Sequence, residues 1–165
     1  MVTTRETEME RIGNCAMDAI RCMADALNCD YDRLEELWEQ LSNGLLDRDD
    51  EQQELCRLEA AAGATGNVCS SREDAEQQIH EDALSVEVRS DWTSLGEPLT
   101  TAEFCLLLTT GGPAVRIVGD LDEHGEPRRP RLEVQNWGTP WTMHPTDQSD
   151  DAALLAYARC FYFGD

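Results

Sequence analysis

Seven cysteines, three histidines and a dense set of carboxylates are the residues of this chain with a capacity for chemistry. Cys15, Cys22 and Cys29 recur every seven residues. On a helix that spacing sets neighbours about 10 Å apart along the axis, too far to share one metal ion. Cys56, Cys69, Cys105 and Cys160 supply no C-x2-C pair, and His80, His124 and His144 form no HxxxH pair, so no metal and no cofactor is expected. An odd number of cysteines without a secretion signal reads as reduced, mostly unreactive thiols lining the core of a cytosolic protein. Thr110-Gly111-Gly112-Pro113 has the glycines of a phosphate loop but lacks the following Lys-Ser/Thr and leads into a strand, so it reads as a hairpin turn. His124 beside Asp122 and Glu123 sits in a polar turn with no apolar surroundings to tune its pKa. No nucleophile–base pair stands out, and the expectation is that the chain is not an enzyme.

The carboxylates are different. There are 34 acids against 13 basic residues, all of them Arg, for a net charge of −21. Such a surface excludes direct binding to nucleic acid or to an anionic membrane, both of which need cations. No apolar run approaches the roughly 18 residues of a membrane span, and the acidic N-terminus does not read as a signal peptide, so a cytoplasmic protein is expected. The acids concentrate at Asp30, Asp32, Glu35, Glu36, Glu39, Asp47, Asp49, Asp50, Glu51 and Glu54. On a helix, Asp32, Glu35, Glu36 and Glu39 fall within roughly 10 Å and could occupy phosphate sites on a cationic partner. Asp32/Glu36, Glu35/Glu39, Asp47/Glu51 and Asp50/Glu54 are like-charged i,i+4 pairs, each unfavourable by some tenths of a kcal/mol. Three readings stay open: a field kept for a partner, a solvated face that maintains solubility, and adaptation to salt. Trp137 and Trp141 flank a turn and form a second candidate, an exposed aromatic anchor for a partner. The competing and stronger expectation is that they fill the core of a small sheet.

The elements that must hold these residues divide the chain in two. Residues 1–84 carry 21 acids and seven Arg, a net of −14, and residues 85–165 carry 13 acids and six Arg, a net of −7. In the first part, the apolar residues over 5–28 follow a helical period, with Ile12, Cys15, Ala16, Ala19, Ile20, Cys22, Met23, Ala26, Leu27 and Cys29 on one arc. A second helix is predicted from Asp32 as N-cap, with Glu35 in the capping-box position and a stripe of Tyr31, Leu34, Leu37, Trp38, Leu41 and Leu45. Asp47 to Ala62 gives a third and Ser71 to Asp82 a fourth. From Leu84 the period becomes two. Leu84, Val86 and Val88 predict a half-buried strand. Phe104–Thr109, Val115–Leu121 and Leu132–Val134 complete a four-strand antiparallel meander, and Asp150 or Asp151 caps a last helix through Phe161. The fold class is α+β, one domain over 1–165, with a helical acidic part (1–83) packed against an antiparallel sheet plus C-terminal helix (84–165).

The runs ALSVEVRSDW (83–92), EFCLLLTTGGPAVRIVGDLDEHGEP (103–127), LEVQNWGTPWT (132–142) and LLAYARCFYFG (154–164) resemble small proteins carried by bacterial phages and integrative elements. RETEMERIGN and NCDYDRLEEL, near the start, do so too, and the stretch 45–75 is the least alike. The resemblance implies an anti-defence role of the anti-CRISPR or antirestriction kind, exercised inside a bacterial host cell. The expected partner is a host defence effector with a cationic nucleic-acid groove, and the expected mechanism is occupation of that groove by the acidic surface. The alternative is an immunity- or adaptor-type module whose basic protein partner has nothing to do with DNA.

Overall fold

A long amphipathic helix and a period-two segment can bury their apolar faces only against one another, and this pairing organises the fold. The computed structural model describes residues 4–46, 48–63 and 68–164. Helices α1 (Thr4–Leu27), α2 (Tyr31–Ser42), α3 (Asp49–Ala62) and α4 (Arg72–Asp82) come first. Strands β1 (Ser85–Ser90), β2 (Thr101–Thr109), β3 (Ala114–Leu121), β4 (Pro127–Gln135) and β5 (Thr142–Met143) follow, and α5 (Gln148–Ala158) closes the chain. The α+β class and the order of helices, meander and C-terminal helix are as expected.

The strands form one antiparallel sheet in the order β1-β2-β3-β4-β5. Its inner face presents Phe104, Leu106, Val115, Ile117, Leu132 and Val134 to Met17, Ile20 and Leu27 of α1, Ile79 of α4, and Leu154 and Tyr157 of α5. Tyr157 is wholly buried, and its hydroxyl donates to Asp82 Oδ2 at 2.7 Å, so the polar end of the ring is satisfied. The C-terminal Phe163 returns to the sheet and stacks on Phe104 with ring centroids 4.9 Å apart.

Several expectations are corrected. In α1 the buried residues are Gly13, Met17, Ile20, Ala24, Ala26 and Leu27. Ile20, Ala26 and Leu27 belong to the predicted arc, but the stripe as a whole is turned about a quarter turn from it, and Cys15 and Ala19 are exposed. Large side chains decide the face, because burying Met or Ile removes far more apolar area from water than burying Ala or Cys. Gly13 marks the contact: a Cβ there would lie 2.2 Å from Nδ1 of His144, so no larger residue fits beneath that ring. Asp30, not Asp32, caps α2, accepting from the Arg33 N–H at 3.1 Å. Tyr31 is already helical, its hydroxyl donating to the Ala26 carbonyl at 2.7 Å, which leaves Asp32 in the first turn. Leu41 and Leu45, predicted to lie on the apolar stripe of α2, are exposed. Asp147 caps α5 by accepting from Ser149 N and Asp150 N, and Asp150 returns a bond from the Asp147 N–H. The two-residue β5 was not expected, being too short to carry a period.

β1 is the largest departure. Val86 (45% exposed) and Val88 (48%) lie opposite the buried Leu106 and Phe104, yet they are uncovered. Helices α1 and α5 pack over the β4 side of the sheet, so the inner face at the β1 edge lies outside their cover.

Candidate functional site

The acidic residues are assembled by a helical hairpin with its own small core. Leu34 and Leu37 of α2 meet Leu55, Leu58 and Ala62 of α3 in a cluster separate from the main core. Two polar links cross between the helices. Trp38 Nε1 donates to Glu59 Oε1 at 2.9 Å, and Arg33 reaches Glu54 (Nη2–Oε2 3.0 Å) while also holding Glu36 (Nη1–Oε2 3.1 Å). With the apolar stripes turned together, the charged stripes must turn outward.

Asp32, Glu35, Glu36 and Glu39 are exposed on α2, Asp49 and Asp50 are exposed on α3, and Glu51 and Glu54 are half-buried. Glu36 and Glu54 share Arg33, and Asp50 pairs with Arg48 at 3.0 Å. Asp32, Glu35, Glu39, Asp49 and Glu51 have no ion pair among the described residues. Asp30 is engaged in capping, and Asp47 lies outside the described residues. Over residues 30–59 there are 11 acids and three Arg, a net of −8. The role of Arg33 was not anticipated. Its spacing to Glu36 is visible in the sequence, but its bond to Glu54 joins residues on different helices.

The tryptophans belong to another place. Asn136, next to Trp137, donates to Glu8 at 3.1 Å near the start of α1, whereas α2 begins beyond the other end of that 24-residue helix. A helix of that length spans about 36 Å, so the acidic hairpin and the tryptophan turn do not form one surface. Trp137 is 71% exposed, which overturns a core-filling role for it. Its indole lies against Gly112, whose φ of +116° and lack of Cβ the contact requires: a Cβ would lie 2.4 Å from Nε1. Trp141 is half-buried and stacks on the Arg116 guanidinium, 4.2 Å from the ring centroid, while Arg116 also binds Glu133. Arg116 and Glu133, with Cys105 and Arg131, line a shallow groove of ≈ 360 Å³ on the open face of the sheet.

The thiols do not line the core as a group. Cys15 and Cys56 are exposed, Cys22, Cys29, Cys105 and Cys160 are intermediate, and Cys69 is buried. Burial raises the Cys29 and Cys105 thiols and pushes Cys160 up to about 11, which suppresses their thiolate forms. A small disulfide reagent at pH 8 is therefore expected to label Cys15 and Cys56 first and Cys69 last, read by peptide mapping of the time course. Uniform labelling of all seven would contradict the burial order. Among the described residues, no group of three or more His, Cys, Asp or Glu could hold a metal ion.

A histidine beside a carboxylate is the arrangement acid–base chemistry uses, so the cluster of His144, Asp150 and Arg21 needs an account. Asp150 is buried and bound by Arg21 Nε at 2.7 Å. Burial raises its pKa, but the Asp147 N–H, the Arg21 bond and the Arg21 charge together outweigh burial and leave it below the usual carboxylate value. Burial likewise lowers the His144 pKa, against the pull of Asp150 and Glu10. The half-buried Asp122 holds the β3–β4 turn, accepting from Glu126 N at 3.0 Å, His124 N at 2.9 Å and Arg128, and these bonds hold its pKa at about 2. Asp150 thereby ties α5 to α1, and Asp122 ties the β3–β4 turn. Asp122 contributes stability above its unfolded value near 4, and this is lost as pH falls through about 2. His144 takes up its proton less readily folded than unfolded, so stability also falls as pH drops below about 6.5. Urea unfolding from pH 7 to pH 2 is expected to show both losses, with Asp122→Asn flattening the segment below pH 4. An unchanged slope in that variant would contradict the assignment.

Among the described residues no helix is long and apolar enough to cross a membrane. No protein-family model, curated protein or solved structure matches this chain.

Proposed function

We propose that this chain is a non-enzymatic binding inhibitor from a mobile element, of the anti-CRISPR or antirestriction kind. In this reading its acidic α2–α3 face occupies the nucleic-acid groove of a host defence protein. The observation that carries it is the set of exposed carboxylates on a braced hairpin, with Asp32, Glu35 and Glu39 lacking any ion pair among the described residues. Four carboxylates whose first and last lie about 10 Å apart along α2 have a mean spacing of about 3.5 Å, close to the charge spacing of a single DNA strand. A groove lined with Arg and Lys would meet a comparable field, and the cross-helix bonds of Arg33 and Trp38 mean that little ordering is needed on binding.

A second reading, an adaptor for a basic protein unrelated to DNA, has its own support. Leu41 (53% exposed) and Leu45 (68%) lie at the C-terminal end of the same helix and would add apolar contact to a protein interface. Capture from bacterial lysate on the immobilised chain, with and without competing duplex DNA, separates the two. Inhibition by groove occupation predicts that a nucleic-acid-binding protein is retained and then released by DNA. Retention indifferent to DNA favours the adaptor, and no retention at any salt concentration leaves the acidity to solubility or salt adaptation.

A further inference from the structure

We propose that β1 is a self-pairing edge, through which two copies of this chain join their sheets antiparallel about a two-fold axis at Val88. β1 is a terminal strand of the sheet, six residues long, while the opposite edge, β5, has only two. Edge strands of this length are ordinarily protected by Lys, Pro, an inward charge or a covering element. SVEVRS has neither Lys nor Pro, its inner face shows Val86 and Val88 to solvent, and its one irregularity falls at the end, between Arg89 and Ser90.

The strand's own charges select the occupant. Two antiparallel copies keep matching faces only if the axis passes through a residue position, because side chains alternate along the strand. An axis at Glu87 sets Glu87 against Glu87, and an axis at Arg89 sets Arg89 against Arg89. At Val86, both charges face uncharged residues. An axis at Val88 sets Glu87 opposite Arg89 of the second copy, twice by symmetry, and brings the two Val88 side chains together on the inner face. It also carries Trp92, fully exposed just past the strand, toward the exposed Leu84 of the second copy. The chain's −21 charge opposes self-association in general, but Ser85–Ser90 is itself neutral. With one long open edge per chain, pairing closes at the dimer.

Sedimentation equilibrium of the full chain at about 50 µM and 0.15 M salt tests this. The expected mass is twice the 18.5 kDa of one chain. Glu87→Arg and Arg89→Glu, each alone, set like charges opposite one another, and each is expected to weaken association at least tenfold. Mixed in equal amounts, the two variants meet with every charge opposed by its complement, so a heterodimer is expected to form. Rescue in the mixture also shows that the single variants remain folded. A monomeric wild-type chain, single variants that dimerise undiminished, or a mixture that stays monomeric would each overturn the proposal.

Discussion

Neutralising Asp32, Glu35, Glu36 and Glu39 together, to Asn and Gln, is expected to leave a folded chain that has lost its partner. None of the four belongs to either apolar cluster, and among the described residues only Glu36 makes an ion pair, with an Arg33 that keeps Glu54. The change also removes the like-charged Asp32/Glu36 and Glu35/Glu39 pairs, so the melting temperature should hold or rise slightly. The net charge moves only from −21 to −17, which keeps the protein soluble. Affinity for a groove that normally holds phosphates should nonetheless fall on the order of 100-fold, with a shallower salt dependence, because four charge contacts are lost at once. Circular dichroism reports the fold and a binding isotherm at low salt the interaction. A folded variant that binds undiminished would remove α2 from the mechanism and turn attention to the Trp137 turn.

Arg21→Leu is expected to cost about 2–3 kcal/mol at neutral pH, the larger of two effects at one ion pair. Arg21 is part-exposed, but Asp150 is buried, so removing the cation strands a carboxylate that water scarcely reaches. Asp150→Ala leaves a guanidinium that solvent and Asp18 can satisfy, and it should cost about 1–2 kcal/mol, chiefly through the lost capping box of α5. Combining both substitutions should cost less than their sum, since the stranded charge is gone. The Arg21→Leu penalty should also shrink as pH falls and Asp150 takes up a proton. Urea denaturation at pH 7 and pH 4 measures all of these, and strict additivity would show that the two residues do not act together.

The architecture was legible because periodicity reports which residues share a face. The change from a helical period to a period of two near Leu84 divides helices from sheet, as the structure does. Caps were less legible, because an acid-rich chain offers several within a few residues. Asp30 and Asp32 are equivalent candidates until Tyr31 is tied back to Ala26, and Asp147, Asp150 and Asp151 until Asp150 is held by Arg21. Alternation in β1 identifies a strand but says nothing of whether a helix lies over it. The same limit misled the reading of the thiols: Cys15 recurs in register with apolar residues, yet it is too small to draw its face inward. At the candidate site, the exposed carboxylates follow from lying opposite the apolar stripe. The bracing of Arg33 against Glu54 depends on how two helices meet, which local spacing does not encode.

The central claim, that the acidic hairpin competes with nucleic acid for one groove, is met most directly by displacement. A fluorescent duplex bound to the captured effector reports its own release through anisotropy as the chain is added. The account predicts a fall to the value of free DNA near one equivalent of chain per groove, with the four-carboxylate variant requiring on the order of 100-fold more. A chain that binds the effector while the duplex stays bound, with anisotropy unchanged or raised, would contradict it.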